Sequence, residues 1–469
     1  MSEAIMLMKS ELIITVIIFI LLFVQIAGTA TKPAHLLNFI NVLLFFNFIG
    51  GFFLNREGAL FGDMFVTSNF IMLEKNILNL GTLLISLQTA DWLRNKDFVV
   101  EFYLLLLTTL LGMFFMLSSN NLLMFYLGLE LSSIPLAALA NFELEKRKSS
   151  EAAMKFIMSS AFSSGLLLFG ISMFYGVTGT LNFAQLGLLT SADPLLIFSF
   201  ILLLAGFAFK ISAVPFHLWT ADVYEGSPVA VTAYLSVISK GALLFVMVSV
   251  LFTVFKPLAE TWYNMLFLLA VLTMIVGNLF AIRQQNIKRF LAFSSIAQVG
   301  FILIGMSGSS QEATASVIYF VLIYIFSNLG AFGVIALVSA QKGKEAIDDY
   351  KGFYRSNPAL ALVLTLSLFS LAGIPPTAGF FGKFFLLMAG AGKGNYVLIT
   401  IAALNMVISL YYYLRIVKVM FMDKNETPIE KLEISLLPRL SLMTCMAGII
   451  LIGFTTLLYE YIYSLSTSF

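Results

Sequence analysis

The residue types that could do chemistry in this chain are led by a lysine inside an apolar run. Lys210 is followed by Pro215 five residues later and by His217 after two more. A charged side chain at the centre of a bilayer costs about 2.5–3.5 kcal/mol on insertion scales. Burial disfavours the ammonium form of lysine, and a nearby carboxylate favours it. A lysine that gains and loses contact with a carboxylate can therefore bind and release a proton. This stretch therefore predicts proton transfer within a membrane.

Other charges interrupt neighbouring apolar runs. Lys240 lies in the middle of the next run, and Lys155 follows Glu151 by four residues, which suits an ion pair on one helix face. Glu130 has no basic neighbour on its own helix. Its counter-charge must come from another helix, and Lys210 at similar depth is the predicted partner.

Two further lysines lead to different predictions. Lys383 lies beyond a second helix break, at mid-depth or deeper. Lys75 lies near a helix start beside Glu74, where we expect a local ion pair or an interfacial anchor. For every buried charge the alternative is simple pairing that holds helices together, and His217 could equally be a relay group or a packed histidine.

Two helices are predicted to be broken. The first break falls at 213–215 and the second at 371–379, where Pro375 and Pro376 follow Gly373. Proline removes a backbone donor. Within a bilayer such backbone is tolerated only inside protein or beside a water-filled cavity. Corresponding broken helices in two halves indicate inverted repeats around a transport path.

The composition supports the membrane interpretation. The chain is 60% hydrophobic and only 11% charged, whereas soluble domains have about 25% charged residues. Apolar runs of about 20 residues recur, which is the length that spans a bilayer as a helix. The sequence therefore predicts an all-α polytopic membrane protein rather than a β-barrel, and no basic tract suggests nucleic acid. The single Cys445 is expected to be buried and inert.

Apolar periods and polar breaks predict about fourteen transmembrane helices. Helices 4–8 and 9–13 are expected to form two inverted five-helix repeats, with helices 7 and 12 broken. The predicted units are residues 1–97 with helices 1–3, 98–254 with the first repeat, 262–422 with the second repeat, and 438–469 with helix 14.

Loop charges predict the orientation. Loops after odd-numbered helices carry seventeen of the 27 Lys and Arg residues, and the opposite side carries only Lys9, Arg56, Lys256 and Lys393. Because cytoplasmic loops are enriched in Lys and Arg, the odd loops are predicted in the cytoplasm, with both termini on the outer face.

Other kinds of site have little support. His35 is remote from His217 in sequence, and carboxylates with metal-ligand spacing are absent, so no metal site is predicted. Asp222 and Glu225 are expected in a solvated turn, with proton collection as the weaker alternative. The sequence has no Gly-rich nucleotide loop and no nucleophile elbow.

Four motifs carry a resemblance to a known family. Residues 209–228, 149–156, 286–296 and 370–384 resemble the motifs around helices 7, 6, 10 and 12 of the antiporter-like membrane subunits of respiratory complex I. The resemblance runs from about residue 60 to 420. Those subunits are related to the membrane subunits of multi-subunit sodium/proton antiporters.

Within this family the chain resembles the N-type subunits of bacterial complexes. It stops after fourteen helices without a long lateral helix, which argues against the L type. The M type typically has glutamate where this chain has Lys383, and residues 411–415 on helix 13 also look N-like. Gln298 stands where some N subunits have histidine, so a side relay there must work through an amide and water, or is absent.

The resemblance implies a proton-translocating subunit of a bacterial inner-membrane enzyme that oxidises NADH and reduces quinone. It implies that Glu130 modulates Lys210, that Lys155 lies near the cytoplasmic end of the path, and that Lys383 leads to the outer face. Between them, Lys210, His217 and Lys240 would form the central relay.

NADH, FMN, iron–sulfur clusters and quinone would belong to partner subunits, and this chain would carry no cofactor. Its partners would be the adjacent antiporter-like subunit, small membrane subunits and lipids. The alternatives are a sodium/proton antiporter subunit of the Mrp type, a membrane hydrogenase subunit, or a scaffold that conducts nothing.

Overall fold

The computed structural model describes residues 2–28, 32–53, 55–94, 96–188, 193–308, 310–392, 394–426 and 428–466. Outside the described residues lie Lys393, the first residue of the first predicted unit, and residues 467–469 of the last predicted unit. The helices are α1 Ser2–Leu7, α2 Lys9–Ile26, α3 Pro33–Gly50, α4 Asn69–Leu93, α5 Val99–Leu117, α6 Leu122–Ala140, α7 Arg147–Thr178, α8 Phe183–Leu186, α9 Pro194–Ile211, α10 Leu218–Gly226, α11 Val229–Tyr234, α12 Lys240–Thr253, α13 Ala259–Ile282, α14 Ile287–Gly305, α15 Ser310–Lys342, α16 Phe353–Ser356, α17 Pro358–Ala372, α18 Ala378–Ala391, α19 Tyr396–Phe421, α20 Leu436–Gly453 and α21 Leu457–Leu465.

The helical spans confirm a multi-pass membrane protein. Among the described residues, 13 helices are long and apolar enough to cross a bilayer. The two shorter apolar helices α17 and α18 together supply the span predicted as helix 12. About fourteen transmembrane helices are thus confirmed, while the division of the chain into four units stays a prediction.

The first break lies between α9 and α10. The last residue of α9 is followed by Ser212, whose φ of 65° turns the chain out of the helix. Neighbouring helices then satisfy the freed backbone: the Val214 N–H donates to Thr273 Oγ1 at 3.0 Å, and Trp219 Nε1 donates to the Phe209 carbonyl at 3.1 Å. This is the requirement that a bilayer places on a broken helix.

The second break lies between α17 and α18 and uses glycine for the same turn. Gly373 follows α17 with a φ of 84°. The Gly379 N–H donates across the break to Ser370 Oγ at 3.1 Å. A Cβ on Gly379 would lie 1.8 Å from the Ser370 carbonyl oxygen, so no other residue fits there.

Two helix hairpins are packed in the same way. Between α5 and α6, a Cβ added to Gly112 would lie 2.5 Å from the Ser132 backbone nitrogen. Between α13 and α14, a Cβ added to Gly277 would lie 2.6 Å from the Ala297 backbone nitrogen. Small residues allow this close approach of membrane helices. Each hairpin opens one predicted repeat, which supports the repeat interpretation.

The most buried helices form the centre of the bundle. In α14 and α15, 94% of the residues in the apolar 18-residue stretch are buried, compared with 33% in α3, α19 and α20. α15 contacts α4, α12, α14, α17, α18 and α20. Side chains projecting from α12, α14 and α18 toward α15 are therefore shielded from lipid by other helices.

Several local features differ from the sequence predictions. The third transmembrane helix is predicted over about 64–92, but residues 58–67 form an antiparallel hairpin of Gly58–Leu60 and Phe65–Thr67. Helix α4 begins after Ser68, whose side chain accepts from the Ile71 N–H. The predicted helix 14 is divided into α20 and α21. A π-helical turn, Leu235–Ser239, directly precedes Lys240.

Candidate functional site

Lys210 lies in the last turn of α9, directly before the break. Its Nζ donates to Ser133 Oγ on α6 at 2.7 Å and to Ser160 Oγ on α7 at 2.6 Å. The predicted partner Glu130 is close enough to interact electrostatically. Nevertheless, the ion-pair contacts of the described residues include none between them, and Glu130 Oε1 is buried without a hydrogen-bond partner. The expected direct contact is therefore replaced by two hydroxyl groups.

Lys240 is the first residue of α12 and is 3% exposed. Its Nζ donates to Ser295 Oγ on α14 at 2.9 Å and lies 5.3 Å from the centre of the Tyr224 ring. A cavity of about 10 Å³ beside it is also lined by Tyr324 and Gln298. That volume is close to the minimum that holds one water molecule.

Lys383 lies on α18, one turn beyond the second break, and is 1% exposed. Its Nζ donates to the Ala372 carbonyl at 3.2 Å, one of the carbonyls left free at the end of α17. The same Nζ lies 4.8 Å from the centre of the Phe301 ring. A second cavity of about 10 Å³ beside Lys383 is again lined by Gln298 and Tyr324.

Gln298 on α14 thus stands between the sites of Lys240 and Lys383. Its Nε2 donates to the Leu371 carbonyl at 2.8 Å and to Tyr413 Oη at 3.2 Å. Its Oε1 is buried and has no protein partner. The Gln298 amide therefore has an acceptor available between two buried lysines.

Lys155 belongs to a charge network at the side of the membrane whose loops are rich in Lys and Arg, called here the basic side. Its Nζ contacts Glu151 as predicted and also Asp222 on α10, both at 2.7 Å. Arg289 contacts Asp222 at 2.6 Å and Glu225 at 3.1 Å. Asp222 and Glu225 are therefore paired, rather than simply solvated.

The network perturbs the two carboxylates outside the membrane spans. Burial raises the pKa of Asp222, but hydrogen bonds from Lys155 and Arg289 lower it by more, so it lies below its usual range. The pKa of Glu225 is also lowered, because hydrogen bonds from Lys148 and Arg289 outweigh the effect of burial. Both side chains are thus held as anions.

His217 lies beyond the first break, where it precedes α10. It is 9% exposed, and its Nδ1 is buried without a partner. It lines a cavity of about 530 Å³ together with Asp222, Gln284 and Arg289. The hydrogen bonds of the described residues do not join His217 to Lys210 or Lys240. The structure therefore groups His217 with the charge network.

A larger cavity of about 670 Å³ opens on the basic side between α4, α11 and α15. Its polar lining includes Gln88, Asp91, Lys288 and Glu345. Lys288 is 4% exposed, and its Nζ contacts Glu345 at 3.0 Å. Within the described part of the chain, no group of three or more His, Cys, Asp or Glu residues is placed to hold a metal ion.

Lys75 corrects a sequence expectation. Its ion-pair partner is Glu11 on α2, at 2.5 Å, rather than its neighbour Glu74. Lys75 Nζ also donates to Ser118 Oγ at 2.6 Å. Both members of the pair are 1% exposed, so Lys75 is not an interfacial anchor. Within the described part of the chain, Lys75 has a carboxylate contact, whereas Lys210, Lys240 and Lys383 have none.

Sequence reasoning missed the hydroxyl groups that hold the lysines, namely those of Ser133, Ser160 and Ser295. Only Ser133 carries a signal, because it lies one helical turn after Glu130. Ser160 and Ser295 come from other helices and have no local pattern that marks them.

Comparisons with known proteins decide the family. The family described as "NADH:quinone oxidoreductase/Mrp antiporter, TM" matches residues 119–409. NADH-quinone oxidoreductase subunit N of Azobacteroides pseudotrichonymphae is 49% identical over 414 residues, covering 87% of this chain and 86% of the relative. The subunit N of Phocaeicola vulgatus is 44% identical over 461 residues, covering 97% of this chain and 98% of the relative. The chain belongs to the subunit N family.

Solved structures agree with this family assignment. A chain of respiratory complex I from Thermus thermophilus is 27% identical, with a TM-score of 0.79 over 95% of this chain and 96% of that chain. A chain of the Mrp complex from Dietzia has a TM-score of 0.85 over 97% of this chain and 96% of that chain, but only 20% identity, which shows the fold alone. The motifs predicted an antiporter-like subunit of the N type, and the comparisons confirm that prediction.

Proposed function

We propose that this subunit moves protons across the membrane, driven by electron transfer from NADH to quinone in partner subunits. The observation that carries the proposal is a set of three lysines in apolar helices, the part-buried Lys210 and the buried Lys240 and Lys383. None of them has an ion-pair contact among the described residues. Each is bound instead by neutral hydroxyl or carbonyl oxygens. A buried ammonium without a partner is costly, and lysine can escape that cost by losing its proton.

Lys75 supplies an internal comparison. Its carboxylate partner Glu11 compensates the buried charge, so Lys75 is suited to holding helices together. Among the described residues, Lys210, Lys240 and Lys383 have no such fixed counter-charge. They are therefore suited to a change of protonation.

The cavities support an order for the proposed relay, which begins on the basic side. On the basic side, Glu151, Lys155 and Asp222 form a charged surface, and His217 lines a cavity with Asp222. Lys210 at the first break would take up a proton under the influence of Glu130.

The inner part of the relay would run from Lys240 to Lys383. Both lysines border cavities lined by Gln298 and Tyr324. A water in each cavity would connect the two sites, with Gln298 Oε1 as an acceptor. We place the basic side in the cytoplasm of a bacterial inner membrane and the termini on the opposite face, as the loop charges favour. Partner subunits would carry NADH, FMN, iron–sulfur clusters and quinone.

The test is Lys240→Met in the complete complex, reconstituted in proteoliposomes. Lys146→Met is the matched control, because Lys146 is exposed and, among the described residues, forms an ion pair only with Glu143. We expect Lys240→Met to assemble and to move fewer protons per electron, while the control stays at wild-type values. Normal pumping by Lys240→Met in a fully assembled complex would favour the scaffold alternative.

A further inference from the structure

The hydroxyl group of Tyr413 joins α19 to one face of α14. Tyr413 is fully buried, and its Oη accepts a hydrogen bond from Gln298 Nε2 at 3.2 Å. The same Oη lies 2.5 Å from Ser294 Oγ. Ser294 and Gln298 are four residues apart on α14 and therefore share one helix face. The phenol is thus bonded to the residue that stands between the sites of Lys240 and Lys383.

The Gln298 amide uses both hydrogens of its NH₂ group. One is donated to Tyr413 Oη, and the other is donated to the Leu371 carbonyl at 2.8 Å. That carbonyl is one of those that the end of α17 leaves without a helical partner. Because both acceptors require a donor, they fix which end of the amide is the nitrogen. Oε1 is the remaining end, and it is buried without a partner among the described residues.

The orientation of this amide matters because Gln298 lines the small cavities beside both Lys240 and Lys383, whereas Tyr413 lines neither. Glutamine has a long side chain that loses much rotamer freedom when it is ordered. Without the phenol oxygen, one buried N–H of the amide would lose its acceptor. An unpaired buried donor is unfavourable, so the amide would turn to satisfy it and would carry Oε1 away from the two cavities.

Tyr413 is itself held in place, and its neighbour Tyr412 is held by a different helix. The Tyr413 ring packs edge-on against Phe290 of α14, with ring centres 5.9 Å apart. Tyr412 is also buried, but its Oη donates to Asn278 Oδ1 on α13 at 2.8 Å. Two adjacent tyrosines therefore have similar burial and different partners.

We propose that Tyr413 is a positioning residue for proton transfer between Lys240 and Lys383. It holds the Gln298 amide in the orientation that presents Oε1 to both lysine sites, and Ser294 supports it by fixing the phenol. This inference rests on the proposed function. It adds a residue whose hydrogen bonds, among those of the described residues, reach neither lysine.

Tyr413→Phe tests the inference, and Tyr412→Phe is the matched control. Both changes remove one buried hydroxyl group from α19, but only Tyr413 is bonded to Gln298. In the complete complex in proteoliposomes, we expect Tyr413→Phe to lower the pumping rate about fivefold, the fold-change that corresponds to one ordinary hydrogen bond. Tyr412→Phe should pump at wild-type values for equal amounts of assembled complex. If Tyr413→Phe does not assemble, Ser294→Ala replaces it in this comparison, because that change releases the phenol without removing it.

A double variant gives a readout that a merely structural role would not move. In a chain that carries Gln298→Leu, the phenol has no amide to hold. Adding Tyr413→Phe to that chain should therefore cause no further loss of pumping. A tyrosine that only stabilises the bundle would lower pumping by the same factor with Gln298 and with Gln298→Leu.

The outcomes separate this inference from the proposed function. If Tyr413→Phe pumps like Tyr412→Phe, or if it causes a further loss together with Gln298→Leu, Tyr413 does not position the amide. Lys240→Met is measured alongside. If Lys240→Met loses pumping and Tyr413→Phe does not, only the positioning role fails; if Lys240→Met pumps normally, the proposed function fails as well.

Discussion

The buried pair Glu11–Lys75 should hold α2 against the rest of the bundle, and Glu11→Gln tests this. Lys75 Nζ lies 2.5 Å from Glu11 Oε1, and both side chains are 1% exposed. Removing one partner of such a pair costs about 3–5 kcal/mol. Glutamine keeps a carbonyl acceptor for Lys75, but its NH₂ group would take the place of Glu11 Oε2, which has no partner. We therefore expect a loss of about 3 kcal/mol, which is roughly a hundredfold in an equilibrium constant.

A thiol-labelling assay can measure this loss. Ser10 is 4% exposed and contacts Met72 Sδ across the interface of α2 and α4, so Ser10→Cys should react with a water-soluble maleimide only when α2 undocks. In the assembled complex, Glu11→Gln should accelerate labelling about a hundredfold, because labelling follows the open population.

The labelling rate of Ser10→Cys needs two controls. Thr15→Val should leave the rate unchanged, because among the described residues the Thr15 hydroxyl bonds only within its own helix, to the Glu11 carbonyl. The native Cys445 is fully buried and gives the background. If the labelling rate is the same for Glu11→Gln as for the protein with Glu11, the Glu11–Lys75 pair does not hold α2 against the bundle.

Three further predictions follow from the same contacts. Glu130→Gln removes the anion that favours protonated Lys210, so pumping should fall several-fold more at high pH than at low pH; an equal fractional loss across pH would contradict the pairing. Asp222→Asn should destabilise the protein by about 1 kcal/mol at neutral pH, measured by thermal denaturation. Because the pKa of Asp222 is lowered in the folded state, its stabilisation is present above the usual carboxyl pKa and lost as the pH falls through the lowered value, so wild type and variant should converge in acid. Gln298→Leu should reduce protons moved per electron by impeding transfer between Lys240 and Lys383, while Gln298→His retains it; normal pumping by Gln298→Leu would remove the amide from the path.

The spans and breaks could be predicted because each depends on local sequence. A run of about 20 apolar residues spans a bilayer whatever surrounds it, and Pro215 or Pro376 interrupts a helix through its own missing N–H. The depth of Lys210 and Lys240 followed from their positions in these runs. The same reasoning located the second break before Lys383.

The partners of the charges could be predicted only where they lie on one helix. The pair of Glu151 and Lys155 was found because residues four apart share a helix face. Glu74 was expected to pair with Lys75, but adjacent residues on a helix do not face each other. The true partner Glu11 lies 64 positions away, and no local pattern points to it.

The hydroxyl groups around Lys210 were hidden for a different reason. Serines in helices commonly bond to a carbonyl of their own helix, as Ser132 does. The sequence alone cannot separate such a serine from Ser160, which binds a lysine of another helix. The hairpin at 58–67 was missed because its apolar residues resemble the start of a helix.

The central claim is that Lys210 carries protons that leave the membrane. The direct measurement is the number of protons moved per electron in proteoliposomes by the complete complex carrying Lys210→Met, with assembly checked by subunit content. We expect pumping, or pumping together with electron transfer, to collapse in a fully assembled complex. Wild-type values for both would show that Lys210 is structural and would contradict the proposed function.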